Sequence, residues 1–209
     1  MVIRYPNGQN YKPASVKKSR KNNNVIFGNR GMSLEEELNQ SNTYYLHREI
    51  AVVHKKPIPI QLVQVDYPKR SAAVIKEAYF KQASTTDYNG VYHGYYIDFE
   101  AKETRSKTSF PLNNFHEHQV EHMKACVRQG GICFTIIKFC ATQELFLLPV
   151  ATLLKYWDNQ GHGRKSIPKK VIATTGFPII YHVQPLVPYL ACVDKLIENL
   201  HTTKGVSHE

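Results

Sequence analysis

Absences narrow the class of this 209-residue chain before any motif does. Its longest apolar stretch, Leu145 to Leu154, falls far short of the roughly 20 residues that cross a bilayer, so no passage through a membrane is expected. Cysteine is scarce: Cys126, Cys133, Cys140 and Cys192 form no C-x-x-C pair. That argues against a disulfide framework or a zinc site and for reduced thiols in a cytoplasmic protein. The first thirty residues hold no acid and no apolar signal-peptide core, so export is not expected. No internal repeat appears.

Positive charge is abundant. Lys and Arg number 27 against 17 Asp and Glu, a formal net charge of +10. Such a field suits a polyanion, with nucleic acid first and an anionic membrane second, and a nucleoid-associated place in the cytoplasm. The 42% hydrophobic content is enough for a core and excludes wholesale disorder. The excess of charge begins in residues 1–28, read as a flexible basic arm ahead of one domain over 29–209. Lys17, Lys18, Arg20 and Lys21, with Arg30 just beyond, would grip phosphates without reading sequence.

Along the domain, Ser33 and Glu36 form a capping box that predicts a helix over 34–46, with Leu34, Leu38 and Tyr45 inward. A short strand over 50–53 follows, broken by Lys55-Lys56-Pro57-Ile58-Pro59. Residues 60–81 alternate loosely and read as a two-stranded excursion. Thr86–Tyr92 and Tyr95–Lys102 flank His93-Gly94 as a hairpin. Asn114 with Glu117 is expected to cap a second helix running to Gln129, stopped by Gly130-Gly131. Strands are expected over 132–139 and 145–150, a helical turn over 153–157 and a basic loop over 160–170. A last helix from Pro188 should bury Leu190, Val193, Ile197 and Leu200. This order makes the fold class α/β.

The chemistry lies in the hairpin. Strand alternation puts Asp98, Glu100 and Lys102 on one face and Ile97, Phe99 and Ala101 on the other. The preceding strand supplies Thr85 and Asp87 on one side, and a hairpin would bring Asp87 close to Glu100. Neighbouring carboxylates repel unless a cation lies between them, and hard oxygen donors favour Mg²⁺, with Mn²⁺ as a substitute. Such an ion lowers the pKa of bound water and neutralises phosphate oxygen, while Lys102 can stabilise a developing phosphorane. The plainer alternative is a strand whose outer face is charged and solvated.

Thr85-Thr86-Asp87-Tyr88-Asn89-Gly90, followed by Tyr96-Ile97-Asp98-Phe99-Glu100-Ala101-Lys102, resembles the PD-(D/E)xK nuclease core. Within that superfamily it is most similar to the RecU family of Holliday-junction resolvases. Gly31-Met32-Ser33-Leu34-Glu35 and Tyr44-Tyr45-Leu46 upstream, and Phe115-His116-Glu117-His118-Gln119 downstream, extend the likeness. Thr86 stands where the superfamily name has proline, a position without chemical function.

The resemblance implies a restriction-endonuclease-like core with a mixed central sheet flanked by helices. It implies that Thr85, Asp87, Glu100 and Gln119 surround Mg²⁺, that Lys102 stabilises the transition state, and that Asp98 is an outer group or a bystander. It also implies a homodimer cutting two symmetry-related strands of a four-way DNA junction, beside the recombinase and branch-migration machinery. Residues 60–81 then become a stalk with Lys69 and Arg70 near its tip.

Other motifs compete. His118-Gln119-Val120-Glu121-His122 fits the inverted zinc-peptidase pattern, with Glu198 as a distant ligand, but ten histidines make chance matches easy. Gly161-His162-Gly163-Arg164-Lys165-Ser166 imitates a phosphate loop, yet Arg164 holds the lysine position and Asp158 that of the first glycine. Arg164 and Lys165 are better read as a loop touching DNA backbone. Tyr88, Tyr92, Tyr95 and Tyr96 are assigned to packing rather than base stacking. Helix capping accounts first for Glu35, Glu36 and Glu37, with support of the site left open. A non-catalytic basic DNA-binding factor is the alternative function.

Overall fold

Ser33 caps the first described helix as the capping box requires. Its N–H donates to the Glu36 carboxylate (2.8 Å), and the Glu36 N–H donates to Ser33 Oγ (3.3 Å). Helix α1 (Leu34–His47) follows and buries Leu34, Leu38 and Tyr45. The computed structural model describes residues 32–66, 73–81 and 85–205, and these belong to a single unit. The arm over 1–28, with Lys17, Lys18, Arg20 and Lys21, lies outside the described residues, as do Arg30, Lys69 and Arg70.

Six strands form one mixed sheet in the order β1 (Val52–Lys55), β4 (Tyr88–Tyr92), β5 (Tyr95–Thr104), β7 (Ile132–Phe139), β8 (Glu144–Pro149) and β10 (Phe177–Ile179). Only β5 and β7 are parallel. A parallel pair needs a crossover, and helix α2 (Glu117–Arg128) supplies it. At the β4–β5 turn, His93 (φ 49°) and Gly94 (φ 80°) are both left-handed, the conformation that a two-residue hairpin demands.

Strand alternation sorts the core into two layers. On one face Ile97, Phe99 and Phe134 pack with α1 and with helix α5 (Leu190–Gly205). On the other, Cys133, Ile137 and Phe139 pack with α2, helix α3 (Val150–Asp158) and helix α4 (Lys169–Thr175). Asp98, Glu100 and Lys102 therefore belong to the α2 side, opposite Ile97 and Phe99. The mixed sheet flanked by helices is the α/β arrangement the sequence suggests.

The excursion over 60–81 is an antiparallel ribbon of β2 (Ile60–Asp66) and β3 (Val74–Phe80). Almost all its side chains are exposed. Its base is closed by the Lys81 N–H, which donates to the Pro59 carbonyl (2.9 Å).

Several boundaries differ from expectation. The first strand runs Val52–Lys55 rather than 50–53, because the Ile50 N–H still donates to Tyr45 in the helix exit (2.9 Å). The second helix starts at Glu117, not at an Asn114 cap. Leu112–Asn114 form a separate 3₁₀ turn, and buried Phe115 is extended (φ −98°, ψ 143°), which splits the two. The turn over 153–157 is the full helix α3. The loop over 160–170 holds strand β9 (Ser166–Pro168), which pairs with β6 (Ser109–Pro111) around buried Ile167, and it opens α4. The last helix begins at Leu190, and Leu200 is 42% exposed while Tyr95 of β5 meets its neighbour His201 (2.8 Å), so the contact with the sheet falls to the next position of the helix. Among the described residues no helix is long and apolar enough to cross a membrane.

Candidate active site

Register brings the two expected carboxylates together. Tyr88 pairs with Phe99, so the next position outward sets Asp87 against Glu100. The Asp87 N–H donates to Glu100 Oε2 (3.1 Å). Glu100 is fully buried (0% exposed). On Oε1 it accepts from Lys102 Nζ (2.6 Å) and from Gln119 Nε2 (2.7 Å). Gln119 reaches it from the first turn of α2, where its own carbonyl oxygen accepts the His116 N–H (3.1 Å) and so caps the helix. Gln119 thus buttresses Glu100 in this arrangement. Thr85 is half-buried, and its hydroxyl donates to the Thr86 carbonyl (3.3 Å).

The electrostatics of this group are unbalanced. Burial, followed by the adjacent Asp87 carboxyl, pushes the Glu100 pKa up to about 8, although Lys102 pulls it down. With both acids ionised the group carries two negative charges against one ammonium. Hard oxygen donors with a residual negative charge fit a divalent ion. Thr135, the strand partner of Glu100 on the same face, adds a fully buried hydroxyl without a hydrogen-bond partner, a group that water or an ion would satisfy. The residues present therefore fit a metal centre built on Asp87 and Glu100.

A second buried carboxylate lies one pleat away. Asp98, also 0% exposed, accepts from Lys56 Nζ (2.7 Å), Tyr96 Oη (2.8 Å) and the Thr86 hydroxyl, and meets His122 Nε2 (3.1 Å). Burial by itself would raise its pKa. The Lys56 ammonium and the Thr86 hydroxyl outweigh burial and hold it below the ordinary value. Cys126 and Cys133 place their sulfurs within 4.8 Å of this carboxylate, but burial raises both thiols and Lys56 already neutralises the acid. Asp98 is thus an anchored group rather than a solvated bystander.

Other candidates separate cleanly. His122 belongs to the Asp98 network, whereas His118 stacks on His116 with ring centroids 5.4 Å apart. The two histidines thus engage different partners. Glu35 pairs with Lys55 and Glu36 serves the cap. Glu37 forms a buried ion pair with Lys138 (2.7 Å) on the opposite face of the sheet. Arg164 and Lys165 are exposed, and the Lys165 carbonyl accepts the Leu112 N–H (3.0 Å). That bond docks the basic segment beside the turn leading into α2. Tyr88 is buried and stacked on Phe99 (4.8 Å), and Tyr92 is buried too.

Sequence reasoning missed Lys56, Thr86 and His122. The lysine's signal was its place before Pro57: proline donates no hydrogen bond, so Lys56 is the last residue of that strand able to ladder.

The profile of the RecU family, described as Recombination protein U, matches residues 29–195. The chain is 61% identical over 212 residues to a protein of Ligilactobacillus salivarius named Holliday junction resolvase RecU, covering 95% of this chain and 100% of that one. A Lactiplantibacillus plantarum protein of the same name is 62% identical over 201 residues, covering 95% and 97%. Another, from a Geobacillus species, is 56% identical over 197 residues, covering 94% and 98%. The solved Holliday junction resolvase Hjc of Archaeoglobus fulgidus overlaps 69% of this chain and 92% of its own, at 12% identity and a TM-score of 0.40, too slight a likeness to argue from. A matched profile and relatives of this identity establish membership: the chain belongs to the RecU family.

Proposed function

We propose that this protein is a Mg²⁺-dependent endonuclease that resolves four-way DNA junctions by paired, symmetric phosphodiester hydrolysis. The observation that carries the reading is the convergence of Asp87, Lys102 and Gln119 on the buried Glu100 carboxylate, on the α2 side of the sheet. Asp87 and Glu100 would hold the divalent ion, with Thr85 and Gln119 completing its surroundings and Mn²⁺ able to substitute. A bound divalent ion supplies acidified water and charge neutralisation at the phosphate.

The chain's own groups do the rest. Glu100, held by Gln119, keeps its carboxylate fixed against Asp87. Lys102 places its ammonium against the phosphorane that forms as the water oxygen bonds to phosphorus. One P–O ester bond then breaks, and the leaving oxygen takes up a proton. Lys17, Lys18, Arg20, Lys21, Arg30, Lys69, Arg70, Arg164 and Lys165 would neutralise DNA phosphates, with the ribbon as a stalk toward the junction. One site cuts one strand, so resolution calls for a homodimer whose two-fold axis matches the junction. It would work in the cytoplasm at the nucleoid, beside the recombinase and branch-migration machinery.

A synthetic four-way junction and a linear duplex of the same sequences, each incubated with Mg²⁺ or with EDTA, test the proposal. Cutting should be confined to the junction and to Mg²⁺, and Asp87→Asn should abolish it while junction binding persists. Equal cutting of both substrates would defeat the junction reading, and full activity of Asp87→Asn would defeat the mechanism.

A further inference from the structure

Asp87 is held from one side by Glu100 and from the other by a residue with no part in the chemistry described so far. Lys56 follows the last residue of β1, and the pairing of Lys55 with Tyr88 carries its main chain alongside Asp87. The Lys56 N–H donates to the Asp87 carbonyl (2.7 Å). Pro57 comes next, so the ladder ends there and Lys56 is its terminal clamp. Its side chain turns inward instead of into solvent. Nζ donates to Thr86 Oγ1 (3.0 Å) and to Asp98 Oδ2 (2.7 Å), while its side chain keeps 17% exposure. Thr86 in turn donates to the other oxygen of Asp98. Main chain and side chain of one residue therefore fix the Thr86–Asp87 pair at both of its members.

Among the described residues the partners of that ammonium are Asp98, Thr86 and, from α2, His122 (Nε2 3.4 Å from Nζ). A lysine spent this way is poorly placed to grip phosphate. It is well placed to prevent the segment before β4 from rotating its carboxylate away from Glu100.

We propose that Lys56, anchored on Asp98 and Thr86, is a positioning residue that sets the Asp87 carboxylate for divalent-ion binding. The inference rests on the metal-centre reading of Asp87 and Glu100. Groups that orient a metal ligand typically contribute a 10- to 100-fold factor in metal affinity. In Lys56→Met and in Thr86→Val, the Kd for Mn²⁺ alone, titrated without DNA by electron paramagnetic resonance, should rise by about that factor. Junction binding without metal should stay at the wild-type level, and raising Mn²⁺ should restore much of the cleavage rate of Lys56→Met.

A purely structural role would lower the thermal midpoint and leave the Mn²⁺ Kd of the folded protein unchanged. A phosphate-binding role would weaken junction binding and leave Mn²⁺ binding unchanged. Either result overturns the inference. Should Lys56→Met fail to fold, Thr86→Val decides alone, because it removes one hydroxyl and keeps the side-chain shape. Wild-type Mn²⁺ affinity in these variants, with weakened binding in Asp87→Asn, defeats the inference only. Wild-type affinity in Asp87→Asn as well defeats the reading on which it rests.

Discussion

Asp98 and Glu100 are two residues apart on the same face of β5, and both are fully buried, yet their chemistry is opposite. Asp98 has an ammonium, two hydroxyls and an imidazole around it, so its single charge is matched and its carboxyl is held acidic. Glu100 has one ammonium and a second acid beside it and is driven toward the protonated form, to about 8. Burial is common to both and cannot be the cause of the difference. Composition of the partner set is. A carboxylate completed by protein cations is scaffold, whereas one left in charge deficit next to a like group is where an external cation has something to gain.

The contrast is most sharply broken by substitution. Glu100→Gln should cost roughly 10³-fold in junction cleavage, the size of several kcal/mol of lost metal-assisted stabilisation. The same change removes a strained acid, so the ion-free protein should melt higher than wild type at pH 8. Differential scanning calorimetry beside a single-turnover cleavage assay checks both signs. Loss of thermal stability would mean that Glu100 is as scaffold-like as Asp98.

Asp98→Ala should do the reverse. It strands the Lys56 ammonium in a largely buried place and should lower unfolding free energy by about 3 kcal/mol, read from urea denaturation. An unchanged midpoint would remove the distinction drawn here.

A third difference is in pH dependence. The Glu100 carboxyl is raised from its ordinary 4.5 to about 8 in the folded chain. Across that window the folded state keeps a proton the unfolded state has lost, so ion-free stability should fall as pH rises. Asp98 is shifted the other way, below its ordinary 3.8. Its contribution should be present above that value and be lost as pH falls further. Urea midpoints from pH 3 to 9, with and without Mg²⁺, separate the two windows. Glu100→Gln should flatten the upper window alone, and a slope that survives in that variant would assign it to another group.

Much of this was legible beforehand where the information is local. The Ser33–Glu36 cap, the His93-Gly94 turn and the alternation along β5 all depend on neighbours in sequence. So does the placement of Asp87 against Glu100, once the hairpin is granted. What was hidden depends on distant pairing. Nothing near Lys56 announces that its strand lies beside β4, and nothing near Phe177 tells that three residues will pair with β8. Short elements such as β9 and α4 have too few residues for a period to show, and Ile167 and Ile172 take their meaning only from the layer they fill. Asp98 looked dispensable because its partners come from three other segments: Lys56, Thr86 and the helix bearing His122.

The ribbon of β2 and β3 leaves the sheet four residues after Lys56 and is pinned at its root by the Lys81–Pro59 bond (2.9 Å). Its arm is thus rooted at the same spot that seats Asp87. Only Pro57, Ile58 and Pro59 stand between the foot of the ribbon and the Lys56 bond that holds the Asp87 main chain.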